Sequence, residues 1–133
     1  MFDLPGKNPN CYFEAEVEFG SPKSSANVVL RSSDTGDGGY GFALSPKDTK
    51  IAIRNVSYKS DRKQQGAARH DFPDNKKVSL QIFICDNFME AFVDGRASLS
   101  AHVVEQTGSN VAIEIAGGSA TIRTPFLLSL IHI

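Results

Sequence analysis

Residues 76–104 read KKVSLQIFICDNFMEAFVDGRASLSAHVV. Three strand-length apolar runs lie here, separated by Asp86-Asn87 and by Asp94-Gly95. An Asp-Gly pair between alternating runs signals a two-residue hairpin, because a type I′ turn needs positive φ at both central residues. The stretch therefore reads as a three-stranded antiparallel meander. Val78, Leu80, Ile82 and Ile84 form the inward set of the first run. In the second, Phe88, Glu90 and Phe92 alternate with Met89, Ala91 and Val93, and the third carries Ala97, Leu99, Ala101 and Val103. Glu90 shares its alternation with two phenylalanines, an unusual place for a solvated carboxylate. It reads as a partly buried acid satisfied by a neighbouring donor such as Arg96, or as the mouth of a ligand groove.

The same period of two recurs upstream. Cys11, Phe13, Ala15, Val17 and Phe19 take one face of a strand, and Tyr12, Glu14, Glu16 and Glu18 take the other. Alternate carboxylates on one strand are about 7 Å apart at a rise of about 3.4 Å per residue, too far to share a proton, so they read as a solvated face. Residues 26–31, 40–44 and 51–56 are further strands, with Tyr40, Phe42 and Leu44 on one face. Residues 111–115 and 120–124 close the domain around Gly117-Gly118. Residues 57–75, SYKSDRKQQGAARHDFPDN, form the most charged segment and read as a long surface loop. With no helical period and no internal repeat, the chain is expected to be all-β: an antiparallel two-sheet β-sandwich of the concanavalin or jelly-roll kind.

Bulk composition narrows the function. The chain has 133 residues, 41% hydrophobic and 22% charged, enough for one domain with its own core. Its formal net charge of −1 and scattered basic residues argue against a nucleic-acid partner. No apolar run is long enough to span a bilayer as a helix, and Met1 to Asn10 lacks the pattern of a secretory leader. The compartment is left open. Residues 1–10 read as a lead-in and 11–127 as the sandwich. The last six residues, LSLIHI, are what CTGTCTCTTATACACATC encodes, a string resembling a transposase-adapter end, so 128–133 read as a non-native tail and His132 is no candidate ligand.

Chemistry-bearing motifs are scarce. Asp34 and Asp37 beside Gly36 lack the acidic ladder and distal glutamate of a calcium loop. Gly38-Gly39-Tyr40-Gly41 lacks the lysine and hydroxyl residue that end a phosphate loop. His70-Asp71 has no accompanying nucleophile, and sequence neighbours on an extended chain point apart. Cys11 and Cys85 fit either a disulfide or two buried thiols in neighbouring strands. No catalytic residue, metal ligand or cofactor site is expected. Tyr40 and Glu90 remain as candidate ligand contacts, and with no Trp, only Tyr12, Tyr40 and Tyr58 are obvious sugar-stacking aromatics beside nine largely inward phenylalanines.

One resemblance runs from about Tyr12 to Phe126. Its densest part is Lys77-Val78-Ser79-Leu80-Gln81-Ile82-Phe83-Ile84, then Asp86, then Met89-Glu90-Ala91-Phe92-Val93-Asp94-Gly95-Arg96-Ala97, with Gly117-Gly118-Ser119-Ala120-Thr121-Ile122 downstream and Tyr12-Phe13-Glu14-Ala15-Glu16-Val17 at the start. In this order the elements resemble the C-terminal β-sandwich of glycoside hydrolase family 32, the invertases, levanases, inulinases and other fructosidases. The chain departs from that family at Asn87-Phe88, where a serine is common nearby, and at Cys85. The resemblance implies a non-catalytic accessory domain whose partner is an N-terminal five-bladed propeller. That propeller carries the family's W-x-N-D-P, R-D-P and E-C motifs, none of which occurs here. Retaining glycosidases hold two carboxyls about 5 Å apart, and no pair in this sequence is placed to do so. A lectin-like carbohydrate-binding module, with fructan or another glycan as ligand, is the alternative expectation.

Overall fold

The computed structural model describes residues 2–4, 10–33, 38–55, 63–72, 77–95, 97–103, 108 and 110–129. Among them run eleven strands: β1 (Phe2–Leu4), β2 (Cys11–Phe19), β3 (Ser25–Ser32), β4 (Tyr40–Ser45), β5 (Lys50–Asn55), β6 (Lys63–Arg69), β7 (Lys77–Cys85), β8 (Phe88–Val93), β9 (Ala97–His102), β10 (Asn110–Ala116) and β11 (Ala120–Ser129). One 3₁₀ turn, Pro46–Asp48, joins β4 to β5, and there is no α-helix among the described residues. The strands form a six-stranded sheet ordered β1-β10-β3-β4-β5-β6 and a five-stranded sheet ordered β11-β2-β7-β8-β9, antiparallel throughout. The expected β-sandwich is present.

Its core is the sum of the alternations. β2 buries Cys11, Phe13, Ala15, Val17 and Phe19, and β7 buries Val78, Leu80, Ile82 and Ile84. Register sets Phe13 beside Ile82 and Ile82 beside Ala91, so β8 must turn Met89, Ala91 and Val93 inward and Phe88, Glu90 and Phe92 outward. From the other sheet come Val28, Leu30, Tyr40, Phe42, Leu44, Ile51, Ile53, Val111 and Ile113. Asp94 (φ 55°) and Gly95 (φ 67°) are both left-handed, as the type I′ turn requires. Gly117 (φ 71°) stands where the chain crosses between sheets, and a Cβ there would run into the Lys23 carbonyl oxygen.

Three strands differ from expectation. Lys63–Arg69, inside the segment read as a loop, is the edge strand β6, paired with β5 from Lys50↔Arg69 to Asn55↔Lys63. Its KQQGAAR sequence has no β-branched or aromatic residue; backbone pairing rather than side-chain propensity makes the strand. Within the expected lead-in, β1 pairs with β10. β11 extends through Leu128 and Ser129, opposite Tyr12 and Cys11, so the first two residues of the stretch read as a tail lie in the sheet. His132, Tyr58, Asp34, Asp37 and Arg96 lie outside the described residues.

Cys11 and Cys85 are not joined in a disulfide. Cys11 points inward on β2, whereas Cys85 belongs to the outward set of β7. Burial pushes the Cys11 thiol up to about 11, against a smaller opposing pull from Arg31. An unfolded chain would release this proton near 9 while the folded chain still holds it. Stability should therefore fall as pH climbs from about 9 to 11, by no more than about 2–3 kcal/mol in all. Denaturant titrations near pH 8 and 10.5 check this: a Cys11→Ala chain should lose that part of the alkaline decline.

Candidate functional site

Sheet register places three rows of side chains on the outer face of the five-stranded sheet. Leu128, Tyr12, Phe83, Glu90 and Ser100 form the first row. Phe126, Glu14, Gln81, Phe92 and Ser98 form the second, and Arg123, Glu16 and Ser79 begin the third. Phe83, Phe88, Phe126 and Leu128 are 42%, 47%, 47% and 49% exposed, four of the five large hydrophobics exposed among the described residues. Apolar side chains this open, gathered on one sheet face, form a patch rather than scattered exceptions.

The rings pack against one another. Tyr12 and Phe83 lie 4.5 Å apart between centroids, tilted by 41°, and Phe92 meets Phe83 edge-on at 6.4 Å. Phe88 and His102, opposite each other in register, pack edge-on at the far side. Around them the carboxylates differ in circumstance. Glu14 accepts the Tyr12 hydroxyl at 2.6 Å, and the Tyr12 phenol is raised above its usual value, by burial first and by Glu14 next. Glu18 sits between Lys77 at 3.9 Å and Arg123 at 3.5 Å. Glu16 has neither hydrogen bond nor ion pair among the described residues.

Beside this cluster lies a shallow depression of about 240 Å³, lined by Glu14, Ala15, Glu16, Ser79, Leu80, Gln81 and Thr124. A bulge makes it. β11 loses register with β2 between Arg123 and Phe126, where Thr124 takes φ 48° and Pro125 has no N–H to donate. Thr124, the β11 residue of this lining, lies at that break in register.

Of the two expected ligand contacts, Glu90 belongs to this face, half-buried between Phe83 and Ser100 in register. Tyr40 does not: it is 1% exposed, with its ring in the core on the other sheet. The structure does not bring the two together. Nor does His70 meet Asp71. Asp71 bonds Arg69 at the surface (3.2 Å), while His70 turns inward, its Nε2 3.7 Å from Asp94 Oδ2 and its ring edge-on to Phe72. Asp94 Oδ1 is meanwhile held by the Ser79 backbone N–H at 2.8 Å. Sequence reasoning misses the depression; Thr124-Pro125, a proline at the end of an expected strand, is the available sign of a bulge. No group of three or more potential metal ligands occurs among the described residues.

No protein-family profile matches the chain, and no curated protein does. Solved structures match it well. A carbohydrate-binding module, CBM66 from Bacillus subtilis, superposes with a TM-score of 0.82 at 13% identity, over 92% of this chain and 77% of the module. The likeness is one of fold. Sheep galectin-11, solved in complex with glycerol, matches at 0.70 and 15% identity over 96% and 95% of the two chains. Sucrose-6-phosphate hydrolase from Lactobacillus gasseri matches at 0.62 and 17% identity, but the chain spans only about a quarter (25%) of that enzyme.

Proposed function

We propose that the chain is a non-catalytic accessory β-sandwich of a fructan- or sucrose-hydrolysing glycoside hydrolase, packed on a catalytic propeller and stabilising it. The carrying observation is the exposed face of Tyr12, Phe83, Phe88, Phe92 and Phe126. A sugar-stacking platform needs a ring face open to solvent. Here Phe83 is engaged by Tyr12 on one side and by Phe92 on the other, in tilted and edge-on contacts. Such a cluster suits burial against another apolar surface, at about 25 cal/mol per Å² covered. The 25% coverage of a sugar-phosphate hydrolase supports the same reading, since a domain of this fold is one part of that larger enzyme. Residues 128–133 stay outside the proposed docking surface, in keeping with their reading as an adapter-encoded tail.

A second reading, a glycan-binding module in its own right, is favoured by the superposition on a carbohydrate-binding module over most of both chains. The DNA flanking this reading frame separates the two. The accessory reading expects an upstream, in-frame propeller carrying W-x-N-D-P and R-D-P. That propeller, produced with and without this chain, should differ in thermal inactivation half-life by about tenfold or more, equivalent to ~1.4 kcal/mol in the barrier. Phe83→Asp with Phe126→Asp in the joined protein should erase the difference. A frame closed by a stop codon just before Met1, or equal half-lives, would overturn the accessory role.

A further inference from the structure

We infer that the outer face of the five-stranded sheet docks on a protein surface whose apolar centre is flanked by arginines, and not on a second copy of this chain. The inference rests on the docked reading of this face and specifies the chemistry of what covers it. Register interleaves charge with the rings. Glu90 stands between Phe83 and Ser100 on its row and alternates with Phe88 and Phe92 along β8. Glu14 lies between Phe126 and Gln81 on the next row, and Glu16 follows one row further. Among the described residues the face carries four carboxylates, on Glu14, Glu16, Glu18 and Glu90, against two permanent cations, Lys77 and Arg123. Both cations stand at one corner, and both pair with Glu18. His102 lies at the far side, edge-on to Phe88. Glu16 and Glu90 have neither hydrogen bond nor ion pair among the described residues, and Glu14 spends one oxygen on the Tyr12 hydroxyl.

Covering the rings removes the water that solvates these carboxylates. Glu16 and Glu90 are already half-buried. A wholly apolar partner would strand two unpaired charges, a cost that docked surfaces meet with an opposite charge. A partner that sets cations among its apolar side chains removes the cost and adds charge-assisted hydrogen bonds. Arginine suits this face better than lysine. Its guanidinium is planar and weakly hydrated, forks onto carboxylate oxygens and stacks on aromatic rings. One such side chain can therefore lie over Phe83 or Phe92 and reach Glu90, since these rings adjoin that carboxylate across and along the strand. Other occupants conflict with the charge. A two-fold contact between copies sets a patch against itself, bringing Glu14, Glu16 and Glu90 against their own counterparts. Nucleic-acid phosphates and an anionic lipid surface are repelled for the same reason.

The test is a two-dimensional amide NMR titration of the 133-residue chain with a matched pair of peptides. Acetyl-Arg-Leu-Trp-Leu-Arg-amide and acetyl-Glu-Leu-Trp-Leu-Glu-amide share their apolar content and differ in the sign of charge. The arginine peptide should shift amides in residues 12–16, 81–83 and 88–92, and at about 50 mM salt it should bind about tenfold tighter than the glutamate peptide. Near 1 M salt, where the Debye length falls to about 3 Å, the preference should shrink to about threefold or less. Glu16→Gln with Glu90→Gln keeps side-chain size and should abolish the preference, while the spectrum stays dispersed. Phe83→Ala should weaken both peptides alike and leave the preference standing. Equal affinities of the unaltered chain, tighter binding of the glutamate peptide, or shifts centred on the six-stranded sheet would each overturn the inference. So would an unmoved spectrum at about 10 mM arginine peptide, where a site of millimolar Kd is mostly filled. A dimer in sedimentation that Phe83→Asp abolishes would also overturn it, in favour of a second copy. Failure of the propeller reading is seen separately, in the flanking DNA and the inactivation half-lives.

Discussion

Replacing Phe42 by alanine should cost about 3–5 kcal/mol, while the same change at Phe83 should cost about 1 kcal/mol or less. Both are phenylalanines on central strands, so the comparison turns on the face each occupies. Phe42 is fully buried on β4, with Val28 and Ile53 as its register partners. Its deletion removes the transfer free energy of a ring and leaves a cavity between two sheets that cannot collapse without shifting both. Phe83 is 42% exposed on the other sheet's outer side, where losing the ring sacrifices only its edges against Tyr12 and Phe92. Against a domain stability of about 5–15 kcal/mol, the first change approaches global unfolding and the second does not. Urea unfolding with an unchanged slope is the measurement. Equal losses at the two positions would mean that the outer face is as well packed as the core, and the docking face would lose its basis.

Strand composition explains how far this fold is readable from sequence. β2 and β7 each have nine residues in strict alternation, and in both every apolar position assigned inward is buried. Asp94-Gly95 likewise announces a left-handed pair, because few other dipeptides tolerate it. β8 is readable as a strand but not in its facing. Phe88, Glu90 and Phe92 look no more outward than Met89, Ala91 and Val93, and the choice falls to cross-strand register with β7, which sequence does not display. β6 is invisible for a different reason. An edge strand that carries Gly66, Ala67 and Ala68 has too little side chain to signal a period.

The site is legible in fragments. Glu90 stands out because a carboxylate on an aromatic alternation is rare, and it does lie among the exposed rings. Tyr40 is placed correctly on the face of Phe42 and Leu44, and that same placement buries it. The depression depends on a bulge in β11 meeting two carboxylates that lie near the other end of the chain, a long-range coincidence no local pattern encodes. His70 belongs to the same class: its neighbour in space, Asp94, comes from a hairpin turn on the opposite sheet.

Arg31 shows the energetic weight of such long-range coincidences, and its loss should be the second largest effect. In sequence it is the polar end of a strand. In the structure it is 7% exposed, at φ 55°, where β3 slips register against β10 between Asn110 and Ala112. The bulge re-aims its side chain into the end of the sandwich. Nη1 donates to the Val103 carbonyl at 3.1 Å and Nη2 to Asn10 Oδ1 at 3.0 Å. Asn10 Oδ1 also accepts the Asp86 backbone N–H at 2.9 Å, and the Val103 N–H donates to the Asn87 carbonyl at 2.8 Å. One guanidinium thus ties β3 of the six-stranded sheet to the start of β2, the β7–β8 turn and the end of β9. Burial draws it below its usual pKa, opposed by Tyr40, Cys11, Cys85 and Asp86, so the desolvation cost is real. Arg31→Met keeps the stem and removes both charge-assisted bonds, stranding the Val103 carbonyl, and should cost about 2–4 kcal/mol. Arg31→Lys keeps the charge but not the fork, and one ammonium does not hold both acceptors in the same geometry; it should lose about half as much. Denaturant midpoints of the two variants read this directly. A loss below about 1 kcal/mol for Arg31→Met would show that apolar filling substitutes for the buried charge, as it does for some buried ion pairs, and that the end of the sandwich is held by its strands alone.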